Sequence, residues 1–418
     1  MQKKLIALAI ATMASLAAVP ALAQSTNVTM YGLVDVGAEI GNSGFGTKTR
    51  IQSGQSARSR IGFKGEEDLG NGLKAYFLLE AGFALDNGQA TQNSSYTGST
   101  GPMGQGANTG AYTGAPQTTG SYFFQQQALA GLKGNFGQLS IGRQYTPAYL
   151  QTVGVDPFSA GLGGQMPAVL NGLPAYGQRY DNSALYVSPN FSGFTGKVMY
   201  SSGMENNTNT SLSNTTSEKA GRAWTIAGQY ANGPASVGLS YQEAYTTSMN
   251  ISPPGFLAVN APELGKAKSW LLDGSWDFNV VKVSALYAEG HTDASTVGRY
   301  VDERRWALGL SAPVGANAKI QFTYGDRNDK TVWDADVKFW SLGGEYAISK
   351  RTALYAAYTK LKNEDRSVGG VTYGAGWNIN SASNTGLQIP TALSFLGLPI
   401  MAGSYDPYAF QVGMRHSF

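Results

Sequence analysis

Three features of the sequence predict an all-β chain, a sixteen-stranded antiparallel transmembrane β-barrel with one loop folded inward. The first is alternation. Segment after segment sets apolar residues at every second position against polar ones, which gives strands with one apolar and one polar face. The second is spacing: turns of a few residues alternate with long polar connections, the pattern of transmembrane barrels. The third is a single long connection, Tyr145 to Gln178, that is apolar rather than polar.

The chain opens with a segment expected to be removed. Lys3 and Lys4 precede an apolar run from Leu5 to Val19 and then Ala21-Leu22-Ala23. These are the charged region, short apolar region and Ala-x-Ala site of a secretory signal peptide. Residues 1–23 form that segment and 24–418 the barrel domain. Loss of the two lysines lowers the formal charge from +3 to +1, so charge must act through placement rather than total. The absence of cysteine excludes disulfides and thiolate metal sites, and only His291 and His416 offer an imidazole. No later run approaches the ~18 continuous apolar residues of a membrane helix. An exported chain with 54 glycines, 23 tyrosines and 14% charged residues is then either a soluble all-β protein or a transmembrane barrel.

The first strand sets Val28, Met30, Val34 and Val36 against Thr29, Tyr31, Leu33 and Asp35. The next sets Ile61 and Phe63 against Arg58, Arg60, Gly62 and Lys64, and the third sets Phe77, Leu79 and Ala81 against Lys74, Tyr76, Leu78 and Glu80. Later ones are cleaner: Val237, Leu239 and Tyr241 oppose Ser236, Gly238, Ser240 and Gln242, and Ile320, Phe322 and Tyr324 oppose Lys319, Gln321 and Thr323. Around Thr352–Leu361 both faces are mixed. A soluble sandwich alternates too, so the connections decide. Short turns at 69–71, 135–137, 190–193, 232–234, 278–279, 314–317 and 349–351 alternate with long connections near 42–54, 87–121, 145–178, 204–221, 246–266, 291–302, 329–335 and 364–404. Sixteen strands lie between them, an even number as a closed bacterial barrel requires. The last strand places Phe410, Val412, Met414, His416 and Phe418 on one face. It should pair with the strand starting at Asn27, because an open edge in lipid leaves backbone groups unpaired at a cost of several kcal/mol each.

The 145–178 connection carries Leu150, Phe158, Leu162, Met166, Leu170 and Leu173 but one charge, Asp156. That much apolar surface needs cover, and glycines at 154, 161, 163, 164 and 172 allow tight bends. Packing outside an ordinary β-domain would serve as well as folding into a barrel; the barrel pattern of the remaining chain selects the interior, where the loop would narrow a pore. The 87–121 connection, with YTG twice among Gly, Thr, Ser, Asn and Gln, is expected to be a flexible surface loop.

Several segments, in order, resemble the general porins of Gram-negative outer membranes, especially the beta-proteobacterial branch: MYGLVDVGAE (30–39), SRIGFKGEEDLGNGLKAYFLLEAGF (59–83), QQALAGLKGNFGQLSIGRQYTPAY (126–149), DPF (156–158), DNSALYVSPNFSGF (181–194), YAISKRTALYAAY (346–358) and the terminal Phe418. The resemblance implies a homotrimer of barrels in outer-membrane lipid, with the third long loop, here 145–178, as the constriction. It also implies that the last strand, ending in Phe418, is read by the barrel assembly machinery. Residue by residue, it sets a basic wall against acids on the loop. Arg60 matches a wall arginine, Arg58 shares its face, and Arg179 matches a second. Asp156 is the expected counter-charge, while Lys74 and Glu80 face the lumen by alternation on the neighbouring strand. Three positions depart from the family pattern: Gln126 stands where Arg is common, Leu150 where an Asp often follows Pro-x-Tyr, and Leu33 where some relatives carry Lys. Arg143 shares parity with Leu139 and Ile141 and is not placed in the constriction.

The implied activity is passive diffusion of small hydrophilic solutes and ions, with weak to moderate preference for anions, since basic rings favour them. No cofactor, metal, nucleic-acid partner or catalytic residue is expected. A barrel enzyme would need a nucleophile and base, for which His291 and Asp293 in GHTD are the nearest material. A substrate-specific channel or an adhesin is the other alternative, the former suggested by Tyr145, Tyr149, Tyr176 and Tyr180 around the loop.

Overall fold

The alternating segments are strands, and sixteen of them close into one antiparallel barrel in a computed structural model. The structure describes residues 27–42, 46–88, 90, 123–171, 173–203, 221–245, 249–251, 259–261, 266–294, 298–330, 336–368, 371–374, 378–380, 386–388 and 406–418. The expected signal segment 1–23, the segment 91–121 of one long connection and the segment 204–220 of another lie outside the described residues. The strands are β1 (Asn27–Asn42), β2 (Arg60–Gly70), β3 (Leu73–Gly82), β4 (Gln127–Gly134), β5 (Gly137–Tyr145), β6 (Arg179–Val187), β7 (Phe194–Ser201) and β8 (Ala223–Asn232). They continue as β9 (Ala235–Tyr245), β10 (Lys266–Asp277), β11 (Lys282–Ala294), β12 (Gly298–Val314), β13 (Ala318–Asp329), β14 (Val337–Ala347), β15 (Thr352–Asn363) and β16 (Tyr408–Ser417).

Each strand pairs with its sequence neighbour, and β16 returns to β1 with Leu33 opposite Ser417 and Asn42 opposite Tyr408. The seam ends in reciprocal bonds between Gly32 and Phe418, N–H to carbonyl at 3.1 and 3.0 Å. The Phe418 ring lies where a Cβ on residue 32 would stand, so glycine is required there. The short turns use the expected chemistry: Asn71 and Gly72, with φ of 53° and 76°, join β2 to β3.

Four connections differ from the sequence expectation among the described residues: those near 246–266 and 364–404 carry short hairpins of their own, Met249–Ile251 with Val259–Ala261, Asp365–Val368 with Val371–Gly374, and Asn378–Asn380 with Gly386–Gln388. The one near 42–54 contains a further strand of the same sheet, Thr47–Ser53, folded back on β1 from Asn42 opposite Thr47 to Val36 opposite Ser53. The cause is β1's length. Strand β2 reaches only from Asn27 to Leu33 on that side, and the added strand pairs backbone groups that would otherwise form an open edge. The connection near 291–302 is shorter than expected because β11 runs to Ala294 and β12 begins at Gly298.

Burial assigns the two faces. Ile141, Leu239, Ile320, Leu342 and Val412 are large, apolar and exposed, while their alternates Ser140, Ser240, Gln321, Ser341 and Gln411 are buried. A soluble barrel shows the reverse; apolar outside and polar inside is the arrangement for lipid. Near the long-loop end the outer face carries repeated Trp–Tyr pairs, Trp224–Tyr241, Trp270–Tyr287, Trp306–Tyr324 and Trp340–Tyr358, with ring centroids 5.2–5.4 Å apart. Such aromatics suit the membrane interface.

The inner face is not polar throughout. Leu271, Leu286, Ala288, Ala307, Phe339 and Leu361 point inward and are buried against Val155, Met166, Val169, Leu170, Leu173 and Tyr176 of the 145–178 connection. This explains the mixed faces around Thr352–Leu361: the wall is apolar inside where the loop covers it.

Candidate pore constriction

The loop begins where Thr146 caps a short helix, α1 (Pro147–Val155), accepting from the Tyr149 N–H at 3.2 Å with Pro147 in the first turn. Thr146 also donates to Gly177 at 2.6 Å and its N–H reaches Gln178 at 2.9 Å, tying the loop's two ends together. A 3₁₀ turn, Met166–Leu170, carries the return. Between them the backbone bends through positive φ at Ser159, Ala160 and Leu162.

Its hydrogen-bond partners come from much of the barrel wall. Gln151 reaches the Gly228 carbonyl of β8 at 2.9 Å, and Lys282 of β11 donates to Gly154 at 3.4 Å. Gln321 of β13 donates to Pro157, and Gln411 of β16 accepts from the Gly163 N–H at 2.9 Å. Arg305 of β12 donates to the carbonyls of Val169 and Asn171 at 2.8 and 2.7 Å. Apolar burial adds to this, at about 1.5–3 kcal/mol for each fully covered Leu, Met or Phe. The loop therefore packs against the inner face of β8–β16.

The predicted wall arginines belong to β2, β6 and the connection just before β2. Arg60 lies 3.4 Å from Glu80, which also accepts from the Tyr31 hydroxyl at 2.9 Å. Arg60 faces Leu33 across the β1–β2 pairing. Arg58 is half-buried in the connection just before β2. Arg179 is almost wholly buried, donating to Gln126 and Tyr145, with its guanidinium 4.1 Å from the Tyr145 ring centroid. Tyr145 in turn stacks on Tyr149 at 5.1 Å. Gln126 thus serves as acceptor for Arg179 where a second arginine would repel it. Lys74 is not beside these groups: it pairs with Glu66 at 2.7 Å, and Lys133 joins the same carboxylate, towards the short-turn end. Leu150 is exposed on α1.

Asp156 is turned into its own loop. Its carboxylate accepts the N–H groups of Phe158 at 3.1 Å and Ala160 at 2.7 Å, closing the bend at the helix end. Burial pushes this carboxyl up from 3.8 to about 7, against the pull of those N–H groups and of Lys319. A folded-state value above the unfolded one favours the protonated form, so this contribution is fully present below 3.8 and is lost as pH rises through about 7. Amide protection of 156–166, corrected for intrinsic exchange, is expected to be greater at pH 5 than at pH 8. Asp156→Asn should flatten that dependence; an unchanged profile in the variant would show that another group is responsible.

Several interior charges lie outside the set predicted for the constriction. Glu303 and Arg305 share one buried face of β12, joined by Arg327 of β13, with both arginines paired to the Glu303 carboxylate. Alternation from Leu308 and Leu310 would have turned Arg305 inward. Arg415 of β16 and Lys319 of β13 both meet Glu345 of β14. No local pattern reveals Asp35 as the centre of a hydrogen-bond cluster, because its partners lie at 55–57 and 355. His291, expected in a loop, lies in β11 on the outer face, 3.5 Å from Asp293.

Comparison with known proteins agrees with this architecture. The family described as Gram-negative porin matches residues 7–366. The chain is 30% identical over the full length of both chains to outer membrane porin protein 32 of Delftia acidovorans. It is also 30% identical to an outer membrane porin protein of Bordetella pertussis, over 81% of this chain and 89% of that one. Among solved structures, the anion-selective porin from Comamonas acidovorans superposes with a TM-score of 0.69 at 25% identity, covering 94% of this chain and all of that one. An inward-seated loop in a sixteen-stranded, lipid-faced barrel and matches that span the chain lead to one conclusion: this protein belongs to the Gram-negative porin family, whose members are pore-forming barrels of the outer membrane.

Proposed function

We propose that the protein is a passive pore for small hydrophilic solutes, narrowed by the 145–178 loop and moderately selective for anions. The observation that carries the preference is an asymmetry in the interior ion pairs. Side-chain exposure is 32% for Arg60 against 6% for Glu80, and 33% for Lys319 and 27% for Arg415 against 15% for their shared partner Glu345. The cations meet the water while the anions lie behind them. Low-dielectric walls extend such a field, and salt screens it over about 8 Å at physiological ionic strength. In this reading Arg60 and Arg58 shape the field, Arg179 braces Tyr145 at the loop's root, Asp156 seats the loop, and Lys74 and Glu80 complete ion pairs on the wall. The selectivity named for the Comamonas relative is consistent with this.

We also propose a homotrimer and transport without any catalytic step. All seven tryptophans lie at or beyond residue 224, which leaves the outer face of β1–β5 without Trp–Tyr pairs and suited to a second copy. Release of the 1–23 segment on export and engagement of the β16 strand ending in Phe418 by the assembly machinery belong to the same reading. Refolded protein in a planar bilayer is expected to give stepwise currents, grouped in threes, with a reversal potential under a salt gradient that favours anions. A cation-favouring reversal would remove the role given to the arginines. The Tyr145–Tyr149 stack beside Arg179 favours one second reading, a channel with a site for planar anions, which would show as ion current that such a solute blocks saturably.

A further inference from the structure

The seat of the loop's tip traces to a carboxylate with no access to water. Asp35 of β1 has no exposed surface. Its Oδ1 accepts the Gln55 N–H at 2.9 Å and the Tyr355 hydroxyl at 2.8 Å, and its Oδ2 accepts the N–H groups of Ser56 at 3.2 Å and Ala57 at 3.0 Å. The Gly54 N–H reaches the Asp35 carbonyl at 2.9 Å, and the Ser59 hydroxyl bonds the backbone of the same residue. The connection 54–59 is thus wrapped around one side chain. The loop's tip docks on that connection: the Leu162 N–H donates to the Gln55 carbonyl at 2.6 Å. Gly161 approaches so closely that a Cβ would stand 1.9 Å from the Ser56 carbonyl oxygen. Tyr355 serves both sides, its hydroxyl on Asp35 and its ring packed with Phe158 and Leu162. Gly413 leaves room for that ring, since a Cβ there would lie 2.3 Å from the Tyr355 hydroxyl.

We infer that Asp35 is a positioning residue for the constriction: through 54–57 and Tyr355 it fixes the tip of the inward loop and thereby the pore's size limit. The inference rests on the reading of 145–178 as the constriction. Among the described residues every hydrogen-bond partner of the carboxylate is a donor, so both oxygens must accept. An amide cannot replace it, because either orientation turns its NH₂ towards donors.

The test uses Asp35→Asn and Tyr355→Phe in the full-length protein, each alone and combined with Leu162→Cys, with wild type carrying Leu162→Cys as reference. The chain has no native cysteine, so residue 162, buried at 4% exposure, supplies the sole thiol. Two readouts are taken on folded barrels: the labelling rate by a membrane-impermeant maleimide, and the ratio of disaccharide to pentose entry in liposome swelling. Asp35→Asn is expected to raise labelling about tenfold and to raise the size ratio, with a smaller change for Tyr355→Phe, which removes a single donor. Tyr355→Phe also keeps the test decisive should Asp35→Asn fail to fold. Unchanged labelling in the folded variants would overturn the role of Asp35. Faster labelling with an unchanged size ratio would instead overturn the constriction reading, and with it the size limit assigned to Asp35.

Discussion

Replacing Arg305 with alanine is expected to lower the barrel's resistance to urea and heat more than any other single change on the interior wall. The side chain has no exposed surface and spans two tasks, pairing with Glu303 and holding the carbonyls of Val169 and Asn171. Removing one partner of a buried ion pair strands the other, which typically costs about 3–5 kcal/mol. Arg327 keeps Glu303 from being wholly unpaired, which places the expected loss near the lower end. The two loop carbonyls add to it, because an unsatisfied buried acceptor costs about 1–3 kcal/mol. The check is the urea midpoint of the folded barrel by electrophoretic mobility, read beside single-channel conductance. The variant Arg305→Lys separates the two contributions. It keeps a cation beside Glu303 but cannot hold both loop carbonyls as the guanidinium does, so it should recover part of the midpoint while conductance stays altered. A wild-type midpoint in Arg305→Ala would show that β12 does not hold the loop.

The second large effect is on selectivity. Arg60→Glu reverses the charge of a water-facing cation on the β1–β6 wall and releases the negative charge of Glu80 that the arginine had balanced. A unit charge at 4 Å is worth about 1 kcal/mol in water, so a two-unit change should alter the anion-to-cation permeability ratio by on the order of tenfold. The reversal potential is expected to move towards cations in dilute salt and to lose most of that shift near 1 M, where the Debye length is ~3 Å. Arg60→Gln should give about half the effect, without setting a second carboxylate against Glu80. A reversal potential that does not move would shift the controlling charges to Lys319 and Arg415.

What the sequence determined by itself is the barrel. Period-two alternation at positions such as Leu239, Ser240 and Tyr241 is a local consequence of strand geometry. The alternation of short turns with long connections likewise counts strands without reference to contacts. Closure follows from the cost of open edges in lipid, so pairing of Tyr408–Ser417 with β1 is implied by the sequence alone. The apolar loop at 145–178 was conspicuous for a related reason, since its residues needed cover. Arg60 and Glu80 could be turned inward by parity alone.

The tertiary structure decided what the interior does with these residues. Whether a lumen-facing side chain meets water or the loop depends on partners hundreds of residues away, as for Gly163 with Gln411 or Asp35 with Tyr355. No local period encodes such a meeting. Leu286, Ala307 and Leu361 blur the alternation because their inward side is covered by Met166, Val169 and Leu170, so the strand pattern weakens where the loop is seated. Asp156 was the expected counter-charge by its isolation in the sequence. Its orientation instead follows from the bend it closes, where backbone N–H groups at 158 and 160 are the nearest donors. Local periodicity sets which face a strand residue occupies; long-range packing sets which of those residues line water, brace the loop or hold its tip.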